Sequence, residues 1–214
     1  MSVPDQTARE LSFVHIPKNA GTSIKRAIAE YQLPILVSGH PYPCKLSDRE
    51  IVVLRCPVDR FVSAFNYGRK YWPSPINSQF ADANELASSA ADPEHPKHAL
   101  ARIELGNQPE HYLLRNGQAL PPQTIAGRII DFPWVYEPQS SWLLNDPSHI
   151  LRYRHLAEDF SALLGTMGLP DVATLPMANR SEGGDVRISD QALAFLHRTY
   201  AADFEFIRSR GLDV

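Results

Sequence analysis

The first seventy residues alternate short apolar runs with polar loops and with segments of helical spacing. The apolar runs at 11–16, 35–38 and 51–54 are bounded by polar residues or proline and predict buried strands. Apolar side chains then recur three and four positions apart over 22–31 and 58–72, which predicts two helices. Strands that alternate with helices in this way indicate an α/β fold with a mostly parallel sheet.

The remainder of the chain is less regular in its middle and periodic again towards its end. Prolines recur across 73–122, and we interpret the segment at about 73–123 as a less regular elaboration within a single domain that covers 1–214. The other predicted elements are helices around 79–90 and 97–104, a fourth strand at 149–153, a helix at 155–167 and a long C-terminal helix over 189–211, capped by Ser189.

Composition and charge narrow the class of protein. The chain has 214 residues, of which 43% are apolar and 21% charged, as in ordinary globular domains. The formal net charge of −3 argues against a broad surface for nucleic acid, so no nucleic-acid partner is expected. No apolar run is long enough to span a membrane, residues 1–10 are polar, and two cysteines form neither a disulfide framework nor a zinc pattern. These features predict a cytoplasmic protein with two free thiols.

The loop between the first strand and the first helix carries the strongest chemical signal. Its sequence is Pro-Lys-Asn-Ala-Gly-Thr-Ser over 17–23. Main-chain N–H groups at a helix start favour an anion, and Gly21 allows close approach of the bound group. Lys18 adds a cation, and Thr22 and Ser23 add hydroxyl donors. A phosphate or sulfate site is therefore one interpretation, and a plain turn with a surface lysine is the other.

A Walker A loop describes this segment poorly. That loop requires G-x-x-x-x-G-K-[ST], whereas Gly21 is followed by Thr22 and is not preceded by a glycine at the required distance. Asp131 follows a short apolar run and is only a weak candidate for a metal-binding aspartate. A nucleoside triphosphate with magnesium is thus disfavoured, and no metal is expected.

At these residues the chain resembles a known family. The segment Phe-Val-His-Ile-Pro-Lys-Asn-Ala-Gly-Thr-Ser over 13–23 is similar to the F-x-H-I-P-K-[ST]-A-G-T-S motif of carbohydrate-type sulfotransferases, including heparan sulfate 2-O-sulfotransferase-like and related bacterial enzymes. The resemblance implies a P-loop-like three-layer fold, with a central, mostly parallel sheet flanked by helices. It also implies that the loop binds the 5′-phosphosulfate of 3′-phosphoadenosine 5′-phosphosulfate through Lys18, Asn19, Ala20, Gly21, Thr22 and Ser23. Asn19 departs from the residue that the family usually has.

A second motif follows at the distance the family requires. The segment Leu-Arg-Cys-Pro-Val-Asp-Arg-Phe-Val-Ser-Ala-Phe over 54–65 resembles R-D-P-[VFI]-[ED]-R-[FL]-x-S-[AG]-[YF]. The resemblance implies that Arg55 and Ser63 bind the 3′-phosphate, and an arginine at a strand end suits this because its planar fork matches a phosphate. Cys56 replaces the usual aspartate.

The resemblance is thinner in the later part of the chain. Asn179, Arg180 and Ser181 are similar to a late loop that closes over the nucleotide in the family. The segments 139–143, 156–160 and 200–204 also resemble family segments, whereas 73–122 is covered least.

Sulfuryl transfer to a hydroxyl needs a base with a pKa near neutrality, which favours histidine. His40 follows the second strand, at the edge where ligands bind in open α/β sheets, and resembles the histidine that acts as base in some members. His15 is expected to pack beneath the first loop. His40 and Lys18 are therefore the predicted catalytic residues.

These observations predict a sulfotransferase that uses 3′-phosphoadenosine 5′-phosphosulfate, releases adenosine 3′,5′-bisphosphate and transfers to a hydroxyl acceptor, possibly a saccharide or glycoconjugate. The alternatives are a P-loop-type nucleotide kinase or triphosphatase and a non-catalytic nucleotide-binding module on the same scaffold. The acceptor and the oligomeric state stay open at this point.

Overall fold

The structure, a computed structural model, describes residues 11–38, 46–71, 76–106, 123–125, 128–130, 133–169, 175 and 186–214. The described strands are β1 Leu11–Val14, β2 Ile35–Val37, β3 Arg49–Leu54, β4 Gln123–Ile125, β5 Arg128–Ile130 and β6 His149–Arg152. The described α-helices are α1 Gly21–Glu30, α2 Pro57–Tyr71, α3 Ala83–Ala91, α4 His98–Glu104, α5 Leu156–Thr166, α6 Asp190–Thr199 and α7 Ala201–Ser209.

The chain divides into two compact units. The first unit draws on 1–56, 138–180 and 202–214, and the second on 57–137 and 181–201.

The first unit is built on a parallel sheet. Its four strands have the order β2-β1-β3-β6, and every neighbouring pair is parallel. The core on one face of this sheet joins strand residues such as Phe13 and Ile51 to Ile24 of α1 and Leu164 of α5. Burial of this apolar surface holds the helices against the sheet. The structure thus confirms the predicted α/β fold with a parallel sheet flanked by helices.

The second unit is mainly helical. Helix α3 packs against α4 and α6, and α2 also contacts α3 and α6. The buried side chains include Phe61 and Phe65 of α2, Leu86 of α3 and Leu196 of α6. Strands β4 and β5 form an antiparallel pair that belongs to this unit.

The C-terminal helix is the clearest correction to the sequence-based elements. The predicted single helix over 189–211 is two helices, α6 and α7, separated at Tyr200, whose backbone leaves the helical region (φ −107°, ψ 25°). The Tyr200 ring is buried near Phe61, and its hydroxyl donates to the carbonyl of Tyr136 at 2.7 Å. The packing and the hydrogen bond hold Tyr200 at the break between α6 and α7. The predicted cap is correct, since the Ser189 hydroxyl accepts from the N–H of Ala192.

Other boundaries differ by a few residues. Strand β1 ends at Val14 and not at residue 16, and α3 begins after Asp82, whose side chain accepts from the N–H of Glu85 as an N-cap.

Throughout the part of the chain that the structure describes, we find no helix of the length and apolar character that a membrane crossing requires.

Candidate anion-binding site

The turn that joins β1 to α1 has an unusual backbone. Lys18 (φ 67°) and Ala20 (φ 57°, ψ 17°) both have left-handed conformations, which cost about 1–2 kcal/mol for a residue with a side chain. The carbonyl of Ala20 then accepts from the N–H groups of Ser23 and Ile24 at 2.9 and 3.3 Å. Contacts elsewhere must hold the turn in this shape, and backbone strain of this kind is concentrated at functional sites.

Gly21 is required because the chain passes directly over His15. A Cβ atom at residue 21 would lie 1.8 Å from Cδ2 of the His15 ring and 2.0 Å from its Nε2. The ring is buried and stacks on Phe13, with 6.0 Å between centroids. The His15 N–H donates to the hydroxyl of Ser38 at 3.1 Å. His15 therefore supports the first turn of α1 from below, which is the packing role expected for it.

The side chain of Asn19 points into the protein. It is 1% exposed, and its Nδ2 donates to the Val53 carbonyl at 2.6 Å and to Gln139 Oε1 at 2.5 Å. Its main-chain N–H contacts the carbonyl of Ile16 at 3.4 Å. The side chain thus fastens the turn to the end of β3, and a contact of Asn19 with a cofactor stays a prediction.

Gln139 connects this turn to the residue that follows β3. Its Oε1 also accepts from the Arg55 N–H at 3.0 Å, and its Nε2 donates to the Arg55 carbonyl at 2.8 Å. Asp203 of α7 accepts from the N–H groups of Gln139 and Ser140, both at 2.8 Å. Gln139 and Asp203 are 1% and 2% exposed. These buried side chains therefore satisfy main-chain groups at the carboxyl edge of the sheet.

Arg55 brings the two sequence motifs into contact. Its Nη1 donates to the carbonyl of Lys18 at 3.1 Å, and its guanidinium lies over the ring of Tyr153, 4.2 Å from the centroid. An aromatic face orients the cation as well as attracting it. Arg55 and Lys18 are both half-buried, so solvent reaches this edge.

An ion pair between Arg152 and Asp159 fixes the end of β6, the strand next to β3. Arg152 donates through Nε and Nη2 to the two carboxylate oxygens of Asp159, at 3.0 and 2.6 Å, and its N–H donates to Asp159 at 2.7 Å. The hydrogen bonds from the Arg152 side chain hold the pKa of Asp159 below its ordinary value. Tyr153 follows Arg152 directly, so the ion pair fixes the chain beside the residue that stacks on Arg55.

The other predicted site residues are distributed as follows. Ala20 and Thr22 are half-buried, whereas Gly21 and Ser23 are buried at the start of α1. Ser63 lies on α2 and is buried within the second unit. The remaining predictions fall outside the described residues, and they concern His40, Asn179, Arg180, Ser181 and Asp131.

Sequence reasoning missed Gln139 and Asp203 as parts of this site. Each lies in a segment that resembles a segment of the sulfotransferase family, but nothing in the spacing shows that the Asp203 carboxylate meets the main chain at Gln139. The available signal was a polar residue a turn away from an apolar residue that the fold buries, Trp142 in one case and Ile207 in the other. The role itself depends on a tertiary contact that the sequence does not display.

Nothing in the described ranges groups three or more His, Cys, Asp or Glu side chains as a metal site would. Comparison of the chain with protein-family models, with curated proteins and with solved structures finds no match. The arrangement in the first unit therefore has to be interpreted from its own chemistry. It combines a helix start, a lysine and an arginine at one sheet edge, which together suit a phosphate or sulfate group.

Proposed function

We propose that the chain is a sulfotransferase that moves a sulfuryl group from 3′-phosphoadenosine 5′-phosphosulfate to a hydroxyl of a saccharide or glycoconjugate, on a P-loop-like fold. The observation that supports this best is the hydrogen bond from Arg55 to the Lys18 carbonyl. The two motifs that resemble the family's phosphate-binding segments are far apart in sequence, and this contact joins them at the carboxyl edge of a parallel sheet. In open α/β sheets ligands bind at that edge.

The donor set at this edge fits a bisphosphorylated nucleotide. The residues concerned offer N–H, ammonium and guanidinium groups, which are donors that phosphate oxygens accept from. In the proposed assignment Lys18 and the main-chain N–H groups of 20–22 bind the 5′-phosphosulfate, and Arg55 binds the 3′-phosphate. The roles of Ser63 and of Asn179, Arg180 and Ser181 follow from the resemblance alone.

The bound donor supplies the sulfuryl group and a bisphosphate leaving group. His40 accepts the proton of the acceptor hydroxyl as the acceptor oxygen bonds to sulfur. The bond between sulfur and the bridging phosphate oxygen breaks on the opposite side, and that oxygen leaves on adenosine 3′,5′-bisphosphate. Lys18 stabilises the negative charge that develops on the bridging and sulfuryl oxygens, by analogy with phosphoryl transfer. Protons and charge balance without a metal.

A transfer assay tests this function. The purified chain is incubated with sulfur-labelled donor and a panel of acceptors that covers saccharides, lipid head groups, tyrosine peptides and small alcohols. The proposal expects label in a hydroxyl-bearing acceptor and the release of adenosine 3′,5′-bisphosphate.

The same assay with two histidine variants tests the base. We expect His40→Ala to lower kcat by at least about 100-fold, because general base catalysis contributes about 10²–10⁴-fold, with little change in donor affinity. His197→Ala, on a helix of the second unit, serves as a matched control and keeps wild-type turnover. Wild-type rates for His40→Ala would remove His40 from the mechanism, and magnesium-dependent ATP turnover in place of sulfuryl transfer would favour a kinase or triphosphatase.

A further inference from the structure

The side chain of Gln139 makes three hydrogen bonds, two with the main chain of Arg55 and one with the side-chain amide of Asn19. Its Oε1 accepts from the Arg55 N–H and from the Asn19 amide, and its Nε2 donates to the Arg55 carbonyl. One end of the side chain thus holds the turn after β1, and both ends hold the main chain at Arg55. The residue sits between the two segments that carry the cations Lys18 and Arg55.

The main chain at Gln139 is itself held in place by Asp203. The carboxylate of Asp203 accepts from the N–H groups at 139 and 140, at the start of the 3₁₀ helix Gln139–Trp142. A carboxylate suits this position because its charge favours the N–H groups that a helix start leaves without intrahelical partners. Asn19, Gln139 and Asp203 are buried and Arg55 is half-buried, so water does not easily replace a lost hydrogen bond among the three buried side chains.

These contacts fix the backbone geometry of the site, which the sequence resemblance does not describe. Lys18 and Ala20 have left-handed backbones that need external support, and the Asn19 contact with Gln139 lies between them. The Arg55 guanidinium reaches the Lys18 carbonyl only while both main-chain segments keep their places. Small displacements of such groups weaken a preorganised site strongly.

We propose that Gln139 is the positioning residue of the nucleotide site. Held by Asp203, it sets the separation between the loop that binds the 5′-phosphosulfate and the arginine that binds the 3′-phosphate. This inference rests on the proposed sulfotransferase function. Gln139 is buried and acts through Asn19 and Arg55, without touching the nucleotide.

The test measures binding of adenosine 3′,5′-bisphosphate by calorimetry in wild type, Gln139→Met and Gln139→Glu. Gln139→Met keeps the volume but removes all three hydrogen bonds, and we expect its affinity to fall by about tenfold or more, as for other residues that orient ligand-binding groups. Leu163→Ala is the matched control, because it removes apolar contacts from the core of the first unit and leaves the turn intact. Its affinity should stay within about twofold of wild type when both proteins are folded.

Gln139→Glu provides a readout that a general loss of stability would not produce. The ionised carboxylate still accepts from Arg55 and Asn19 but faces the Arg55 carbonyl without a proton to donate. At lower pH the protonated acid donates to that carbonyl again, and burial raises the pKa of such a group. The affinity of Gln139→Glu relative to wild type should therefore recover as the pH falls from 8 to 5.5.

Amide hydrogen exchange in the free proteins gives a second readout. Exchange at 19–23 should accelerate in Gln139→Met but not selectively in Leu163→Ala. If wild type binds the bisphosphate and Gln139→Met binds equally well, the positioning role is wrong while the proposed function stands. If wild type itself does not bind, the proposed function fails, and the role of Gln139 in that site fails with it.

Discussion

Two arginines of the second motif, Arg55 and Arg60, have very different surroundings. Arg55, at the end of β3 in the first unit, is half-buried, donates to the Lys18 carbonyl and stacks on Tyr153. Arg60, on α2 in the second unit, is 1% exposed and donates to the Glu137 carbonyl at 2.6 Å. A ligand in solution can reach the first guanidinium but not the second. The motif therefore combines an arginine suited to binding with an arginine suited to folding.

The buried polar groups of the two units show the same contrast. In the first unit Asn19, Gln139 and Asp203 hold main-chain segments at the sheet edge. In the second unit Asn77 donates to Glu104 at 3.1 Å, and burial raises the pKa of the nearby Tyr136 well above its ordinary value. The buried groups of the first unit hold the backbone at a sheet edge that solvent reaches. Those of the second unit join elements of a helical core. We therefore expect substitutions in the first of these two sets of side chains to alter ligand binding, and substitutions in the second set to alter stability.

The largest expected effect is on stability, at Arg60. Arg60→Ala removes a buried side chain and leaves the Glu137 carbonyl without this donor, so we expect the free energy of unfolding to fall by about 4 kcal/mol. Arg69→Ala is the matched control on the same helix, since Arg69 is exposed although it too donates to main-chain carbonyls. Its loss should stay below about 1 kcal/mol in urea denaturation.

Bisphosphate binding by the same variant sharpens the comparison. The folded fraction of Arg60→Ala should keep wild-type affinity within about threefold, because Arg60 donates to the Glu137 carbonyl whereas Arg55 donates to the Lys18 carbonyl, and separate sites contribute nearly independently. An Arg60→Ala protein of normal stability that has lost its affinity would reverse the roles assigned to the two arginines.

The next effect is at the turn of the first unit. Gly21→Ala places a Cβ atom against the His15 ring, and overpacking of this kind should destabilise the protein by about 3 kcal/mol. Gly165→Ala is the control, because nothing lies within 4 Å of a Cβ there and an alanine within α5 should stabilise by about 0.5–1 kcal/mol. Thermal unfolding of both variants measures the difference.

A double variant tests whether the His15 ring causes the destabilisation by Gly21→Ala. His15→Ala removes the ring, so Gly21→Ala should cost much less in that background than in wild type. Equal costs in the two backgrounds would show that the backbone, and not His15, imposes the glycine.

The smallest effect concerns pH and the ion pair beside Tyr153. The pKa of Asp159 is lowered chiefly by its hydrogen bonds from the Arg152 side chain, so its ionised form stabilises the folded state. That contribution is fully present above the ordinary pKa of 3.8 and disappears as the pH falls through the lower pKa of the folded state. Asp159→Asn should therefore be less stable than wild type at pH 7.

The difference between Asp159→Asn and wild type should shrink below pH 3.8, as measured by urea midpoints over pH 2–7. Asp146→Asn, at an exposed carboxylate paired with Arg210, is the control and should show a smaller difference at pH 7. A pH-independent difference for Asp159→Asn would mean that the ion pair does not contribute through its charge.

The sequence predicts the four strands of the parallel sheet, because each contains a short apolar run, but it does not predict that Leu36 of the edge strand β2 is exposed. The loop motif around Lys18 and the strand-end arginine are visible for a similar reason, since each is a local signal. The break at Tyr200 is not visible, because it depends on packing against Phe61 and a hydrogen bond to Tyr136. The same applies to Gln139, whose partners are distant in sequence.

The central claim is that the edge formed by Lys18 and Arg55 binds a bisphosphorylated nucleotide. Calorimetry with adenosine 3′,5′-bisphosphate and no added metal tests it most directly, in wild type and in Arg55→Ala. We expect saturable binding by wild type and an affinity lower by about 100-fold, or about 2.7 kcal/mol, in Arg55→Ala, because charge-assisted hydrogen bonds to phosphate are lost. The absence of binding by wild type at millimolar ligand, or equal affinities in the two proteins, would contradict the account.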